Sequence, residues 1–385
     1  MHSTHTKMVT ARILNGSLLV VVILVIGVSF LNNILGIVSD FPSTEKRVLA
    51  VCGDIKRPKN QKIIDYIRSF PSSFPSQFEN CFNDNFAFRN AIVAGTNYAR
   101  LMLFDKATAN IVSKGKNDWY YNTDASVVSA YNGSNKYTDA QVDKWINVFK
   151  QRNDKLNSMN IQYILTIVPN KMTMYPEHLP EKYKNTTNPT RLDQLNSVLS
   201  VDKSLDYINV KPDLISLKST TDVFYRTDSH WSQEAVFQTY SKITTTLDSN
   251  IRFTLKNKTD YTVARQKRFS DMSALMGLTK FFYEYPNQFT PNFSEVGVRI
   301  SPDFNQKKSG NKIYEEYEHR NASLIDMDSV VVFGDSYTDE LRPFLANSFS
   351  EVNFLKTAED FDFGYIDEHK PKVVIQIFNE SNLVN

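Results

Sequence analysis

"VVVFGDSYTD", residues 330–339, decides the reading of this chain: the apolar side chains Val330 to Phe333 run directly into Gly334, Asp335 and Ser336. A short apolar run closed by a turn signal predicts a buried strand. Beyond Phe333 the chain makes either an ordinary turn, with Asp335 or Ser336 capping a helix, or a junction that holds a serine at a strand end for chemistry. The choice depends on what else reaches that strand end.

Other segments repeat the pattern. "IQYILTIVPN" (161–170) and "KVVIQIFNE" (372–380) predict further buried strands. Thr138 and Gln141 fit a capping box, and Val142, Ile146, Phe149 and Leu156 then share one face of a helix of about five turns. "SQEAVFQTYSKITTTLDS" (232–249) predicts a second helix with Ser232 as its N-cap. Strands alternating with helices indicate an α/β domain, a mainly parallel sheet with helices on both faces. In such sheets ligands gather beyond the carboxyl ends of the strands. Those ends deliver Asn170 and Lys171, Asp335 and Ser336, and Asn379 and Glu380. Between them lies "VFYRTDSHW" (223–231), where Asp228 and His230 stand two apart and, on extended backbone, share one side.

At 385 residues, with 41% hydrophobic and 12% aromatic side chains, the chain can bury a large core. Its formal net charge is only +2, without basic runs, which gives no reason to expect a nucleic-acid partner. Ile13–Val38 carries no charge and is apolar throughout Leu18–Leu31 apart from Gly27 and Ser29. It is long enough to cross a hydrocarbon core of about 30 Å. With Lys7 and Arg12 before it and no small-x-small cleavage site after it, it reads as an uncleaved anchor with the short end inside. The expected layout is a cytoplasmic tail (1–12), a transmembrane helix (13–38), a largely helical membrane-proximal segment (39–110) and a catalytic domain (111–385) outside the cytoplasm. Cys52 and Cys81, the only cysteines, are either bridged or unpaired; nearby ligands for a zinc site are lacking.

A serine hydroxyl becomes a useful nucleophile when a histidine can take its proton, and a carboxylate fixes the tautomer of that histidine. Ser336, His230 and Asp228 could fill those roles. A strand-to-helix junction would also aim backbone N–H groups at a developing oxyanion. Of the six histidines, His2 and His5 precede the anchor, and among His178, His230, His319 and His369 only His230 has a carboxylate at a helpful spacing.

Four segments in order resemble the AlgJ/AlgX type of SGNH-hydrolase-like protein, a group that includes DHHW proteins. They are "NDNFAFRNAI" with "GKNDWYY", "IVPNKMTMYPEHLP", "RTDSHW", and "VVVFGDSYTDELRPFLANSFSEV" with "HKPKVVIQIFNES", spanning roughly Phe78 to Ser381. The D-x-H-W preceding a G-D-S is the specific part, since ordinary SGNH esterases place the Asp and His near the C-terminus. The resemblance implies a three-layer SGNH-hydrolase-like fold and makes Asp228, His230 and Ser336 the catalytic triad.

It further implies O-acetyl transfer onto an extracytoplasmic polysaccharide through an acetyl-serine, the acetyl group being supplied by a multi-pass membrane O-acyltransferase, without cofactor or metal. Asn170, Lys171 and Tyr337 are the candidates for oxyanion or substrate contacts. The layout is closer to AlgJ than to AlgX, whose C-terminal carbohydrate-binding module has no counterpart here, and an expected Glu-Arg pair reads Glu380-Ser381. Two other functions share the same features: a carbohydrate acetylesterase with water as acceptor, and a non-catalytic exopolysaccharide assembly factor.

Overall fold

Each apolar run predicted as a strand lies at the centre of one sheet. In the computed structural model, residues 89–383 are described apart from 105–106, 108, 184–187, 279–281, 293–297, 301–304, 310–311 and 358–360. Ile13–Val38, Cys52 and Cys81 lie outside the described residues. Among the described residues no helix is long and apolar enough to cross a membrane. The chain divides into two compact units, Met1–Thr108 with Ala274–Phe281, and Ala109–Ser273 with Phe282–Asn385. Helix α1 (Arg89–Phe104) belongs to the first unit, where Asn97 Nδ2 donates to the Met276 carbonyl at 2.8 Å.

The second unit is built on an eight-stranded sheet. Its strands are β1 (Gln162–Val168), β2 (Asp206–Tyr207), β3 (Val298–Ile300), β4 (Asn305–Ser309), β5 (Lys312–Asn321), β6 (Ser329–Gly334), β7 (Glu351–Lys356) and β8 (Val373–Asn379). The order is β4-β5-β7-β6-β8-β1-β2, with β3 paired to β5. From β7 to β2 all neighbours are parallel. Strands β3, β4 and β5 join antiparallel, so the sheet is mixed rather than mainly parallel. The expectation missed this extension because its long strand, "KIYEEYEHRN", reads as a charged loop.

Side chains alternate between two apolar layers. Ile164, Val330, Val332 and Ile375 pack with Ala235, Val236 and Tyr240 of α5 (Gln233–Thr246) and with Phe344 of α6 (Arg342–Ala346). Tyr163, Leu165, Val331, Phe333 and Val374 pack with α2 (Asp139–Ser158), α4 (Arg191–Leu199) and α7 (Phe363–His369). Full burial of a large apolar side chain stabilises by roughly 1.5–3 kcal/mol, so these two layers outweigh the caps, each worth about 1 kcal/mol. The caps still set where helices begin: Thr138 and Gln141 form the capping box of α2, and the Ser232 hydroxyl accepts the Ala235 N–H of α5.

One buried side chain opposes the fold at low pH. His319 on β5 is 4% exposed, sits edge-on to Phe354, and neither ring nitrogen has a hydrogen-bond partner. Burial, aided by the Arg342 charge, pushes it down to about 4. The unfolded chain takes up that proton near pH 6.5 and the native state only near 4. Stability is therefore full above 6.5 and falls by about 3 kcal/mol as pH drops to 4. His319→Leu is expected to narrow the difference in urea midpoint between pH 7 and pH 4.5; an unchanged difference would refute the assignment.

Candidate active site

Gly334 ends β6 against β8 with no room to spare. A Cβ there would lie 2.1 Å from the Ile377 carbonyl oxygen and 2.5 Å from Thr338 Cγ2, so glycine alone permits the turn at this height. The chain then enters a 3₁₀ turn, Ser336–Glu340, capped by Asp335. The Asp335 carboxylate accepts the Tyr337 N–H at 2.9 Å, the Asn379 N–H at 2.7 Å and Asn382 Nδ2 at 2.6 Å. Burial pushes its carboxyl up against these hydrogen bonds. Asp335 is thus the cap expected of an ordinary turn, and it also ties the end of β6 to the end of β8 through the Asn379 N–H.

Ser336 Oγ lies 2.8 Å from His230 Nε2, and His230 Nδ1 lies 2.6 Å from Asp228 Oδ1. The three residues expected from the sequence are brought together in hydrogen-bonded order, the imidazole and the hydroxyl being 106 positions apart in the chain. Their local geometry differs from the expectation of an extended backbone. Residues 226–230 form a bend closed by an antiparallel bridge between Phe224 and Trp231. Asp228 Oδ1 also accepts the His230 backbone N–H at 2.9 Å, so the carboxylate folds the loop around the ring it orients.

The loop is fastened to the serine strand from both sides. Tyr337 donates its hydroxyl to the Ser229 carbonyl at 2.7 Å, and Trp231 Nε1 donates to the Tyr337 carbonyl at 3.0 Å. Arg268 Nη2 lies 3.7 Å from Asp228 Oδ2 and 2.7 Å from Glu340 Oε1. Asp228 is buried, which disfavours its charge, yet His230 and Arg268 hold it well below the usual carboxylate range. Burial likewise disfavours the imidazolium, but the Asp228 hydrogen bond and charge, with Asp271 and Asp335, raise His230 to about 9.

The other sequence candidates take different places. Lys171 opens α3 (Lys171–Met174), and its amino group donates to the carbonyls of Tyr120 at 2.5 Å, Arg226 at 2.8 Å and Asp228 at 3.0 Å. These bonds tie the amino group to the backbone beneath the Asp228 loop, although Lys171 also lines the cavity that holds Ser336. Tyr337, expected as a substrate group, has its hydroxyl proton committed to Ser229. Asn170 caps α3 through Oδ1, which accepts the Thr173 N–H at 3.1 Å, while its buried Nδ2 has no partner. Asn170 and Ser336 line one cavity of about 280 Å³, together with Asn122, Val127, Tyr337 and Asn382. A larger cleft of about 690 Å³, walled by Arg226, Glu284 and Tyr285, does not include Ser336.

Among the remaining histidines, His178 stacks on Trp119, His369 stacks on Tyr365, and His319 is buried in the sheet. Sequence reasoning missed Asp271, Arg268 and Asn382. Asp271 Oδ1 accepts the Ser229 N–H at 2.9 Å, its other oxygen accepts the Ser229 hydroxyl, and its own N–H donates to Asp228 Oδ2 at 3.1 Å. No motif flags these residues, since their relevance comes only from where the chain returns. Asp228, His230 and Asp271 bring metal-type groups close together. Here, however, each is engaged in hydrogen bonds: the arrangement is that of a proton relay, able to draw a proton from Ser336 Oγ and hold it on the imidazole.

The sequence model of a family described as "SGNH hydrolase-like domain, acetyltransferase AlgX" matches residues 112–363. No curated protein matches the chain. Among solved structures, Bacillus cereus PatB1 is similar at 17% identity and a TM-score of 0.51, over 71% of this chain and 97% of that one. A DHHW family protein from Eubacterium siraeum aligns at 18% identity and a TM-score of 0.44, over 61% of this chain and 85% of that one. The O-acetyltransferase domain of Pseudomonas putida AlgJ aligns at 15% identity and a TM-score of 0.41, over 70% and 91%.

Proposed function

The chain belongs to the SGNH-hydrolase-like AlgX acetyltransferase family, and on that premise we propose that it is an O-acetyltransferase carrying the acetyl group on Ser336 from a donor to a polysaccharide hydroxyl. The observation that supports this most is the chain of contacts from Ser336 Oγ to His230 Nε2 at 2.8 Å and from His230 Nδ1 to Asp228 at 2.6 Å. In the first half-reaction Ser336 Oγ attacks the acetyl carbonyl carbon while His230 Nε2 takes its proton. The resulting imidazolium returns that proton to the leaving oxygen of the donor as its bond to carbon breaks. In the second half-reaction His230 deprotonates the acceptor hydroxyl, which attacks the acetyl-serine ester, and Ser336 leaves with the proton.

Two groups face the tetrahedral oxyanion in this reading. One is backbone N–H at the start of the 3₁₀ turn; the other is Asn170 Nδ2, the unpartnered donor in the same cavity. Asn170→Ala is expected to lower kcat by about 10²–10³-fold with little change in KM. A kcat within a few-fold of wild type would remove Asn170 from this role. The further parts of the reading are a membrane anchor at Ile13–Val38, an extracytoplasmic catalytic domain and a multi-pass membrane O-acyltransferase as donor. Incubation with an activated acetyl ester, with and without oligosaccharide, separates transfer from hydrolysis. Acetylated sugar supports the transferase, whereas acetate alone supports an esterase.

A further inference from the structure

We infer that Asp271 is a positioning residue for His230, a second carboxylate that holds the Asp228 loop in shape and the imidazole in its reactive orientation. This rests on the proposed acyl transfer for its catalytic meaning but not for its geometry. Three features converge on the assignment. Asp271 Oδ1 accepts the Ser229 N–H at 2.9 Å and its other oxygen accepts the Ser229 hydroxyl, so the residue between Asp228 and His230 is held by both its donors. The Asp271 N–H donates at 3.1 Å to Asp228 Oδ2, the oxygen that the imidazole does not use. Asp271 Oδ2 also lies 3.7 Å from His230 Nδ1, beyond hydrogen-bond reach but close enough for its charge to act on the ring.

Asp271 begins the short helix Asp271–Leu275, and its backbone and side chain face the loop together. Fixing Ser229 also fixes the acceptor of the Tyr337 hydroxyl, and Tyr337 directly follows Ser336 in the chain. Asp271 therefore sets the loop that presents the imidazole on one side of the Ser336–His230 contact, and Tyr337 ties that loop to the nucleophile strand on the other. The charged groups facing His230 are Asp228, Asp271 and Asp335. Arg268 stands beyond Asp228. Burial and the Asp228 charge push the Asp271 carboxyl up, while His230 and the hydrogen bonds from Ser229 oppose them.

The experiment compares Asp271→Asn and Asp271→Ala with the wild-type chain in two readouts. The first is the His230 ring titration, followed by NMR with isotope-labelled histidine; the second is kcat/KM against pH with an activated acetyl ester. Asp271→Asn keeps the acceptor for the Ser229 N–H and removes the charge. It is expected to lower the His230 titration midpoint by about one pH unit and to move the acid limb of the rate profile down equally, with kcat within about 10-fold of wild type. Asp271→Ala removes both and is expected to lower kcat by about 10²-fold at unchanged KM. A His230 midpoint unmoved in Asp271→Asn, or equal kcat in the two variants, overturns the assignment. If Ser336→Ala retains acetylation, the functional reading fails, while the NMR midpoint still decides the place of Asp271.

Discussion

Ser336→Ala is expected to lower kcat for acetyl transfer by about 10⁴-fold or more while leaving the fold intact. Removing a nucleophile from a hydrogen-bonded triad abolishes the covalent route, and what remains comes from oxyanion donors and binding alone. Ser336 contributes little to packing, because the neighbouring Asp335 makes the hydrogen bonds that join β6 to β8. The urea midpoint of the variant should therefore match that of the wild type. Mass spectrometry after brief exposure to an activated acetyl ester should show one added acetyl group on the wild-type chain and none on Ser336→Ala. Retained acetylation of polysaccharide by the variant would leave an assembly factor as the better reading.

The same relay fixes the pH dependence. His230 must be neutral to take the Ser336 proton, and with its titration raised to about 9, kcat/KM should climb from pH 7 to pH 9. A raised histidine also binds its proton more tightly in the native state than in the unfolded one. The stability it contributes is fully present below pH 6.5 and is lost as pH rises through 9. Rate and stability thus move in opposite directions over this interval, which separates a titrating His230 from general alkaline unfolding.

The parallel part of the sheet and three strand-end positions could be read from the sequence because buried strands leave a continuous apolar signature and their ends are marked by Gly, Asn and Asp. That Ser336, His230 and Asp228 would meet was expected for a different reason: the order of their motifs, more than any local pattern, pointed to them. The antiparallel extension was hidden. Its buried residues include His319 and Asn321, both polar, and Glu318 stands beside His319, so hydropathy carried little alternation there. The bonds of Lys171 to the backbone were not legible, because a lysine at a strand end suggests an open cation and its place beside Trp119 and Tyr121 cannot be seen along the chain. Asp271 and Arg268 stand about 40 residues beyond His230 in an otherwise polar stretch, and only the return of the chain gives them a partner.

Lys171→Met is expected to produce the largest loss of stability, about 2–4 kcal/mol, and to reduce activity together with it. Lys171 is 4% exposed, and its amino group bonds to carbonyls from two separate segments, Tyr120 of the Val112–Asn122 hairpin and Arg226 and Asp228 of the Asp228 loop. Its amino nitrogen lies 5.0 Å from the Trp119 ring centroid and 5.2 Å from that of Tyr121, positions that favour the protonated form. Burial pushes the amino group down to about 7, against the attraction of Glu284, Asp271 and Asp228. Methionine fills similar volume but supplies no donor; the Arg226 carbonyl would keep the Tyr120 N–H, while those of Tyr120 and Asp228 would lose the Lys171 bond, and a buried acceptor left unsatisfied costs about 1–3 kcal/mol. Because the Asp228 carbonyl is one of them, the loop that aims His230 would loosen before the sheet melts. Urea denaturation should show the lower midpoint, and hydrogen exchange should show residues 226–230 opening at lower free energy than β6 or β8. A Lys171→Met chain with the wild-type midpoint and exchange pattern would mean that these bonds hold nothing, and the fastening role would have to be abandoned.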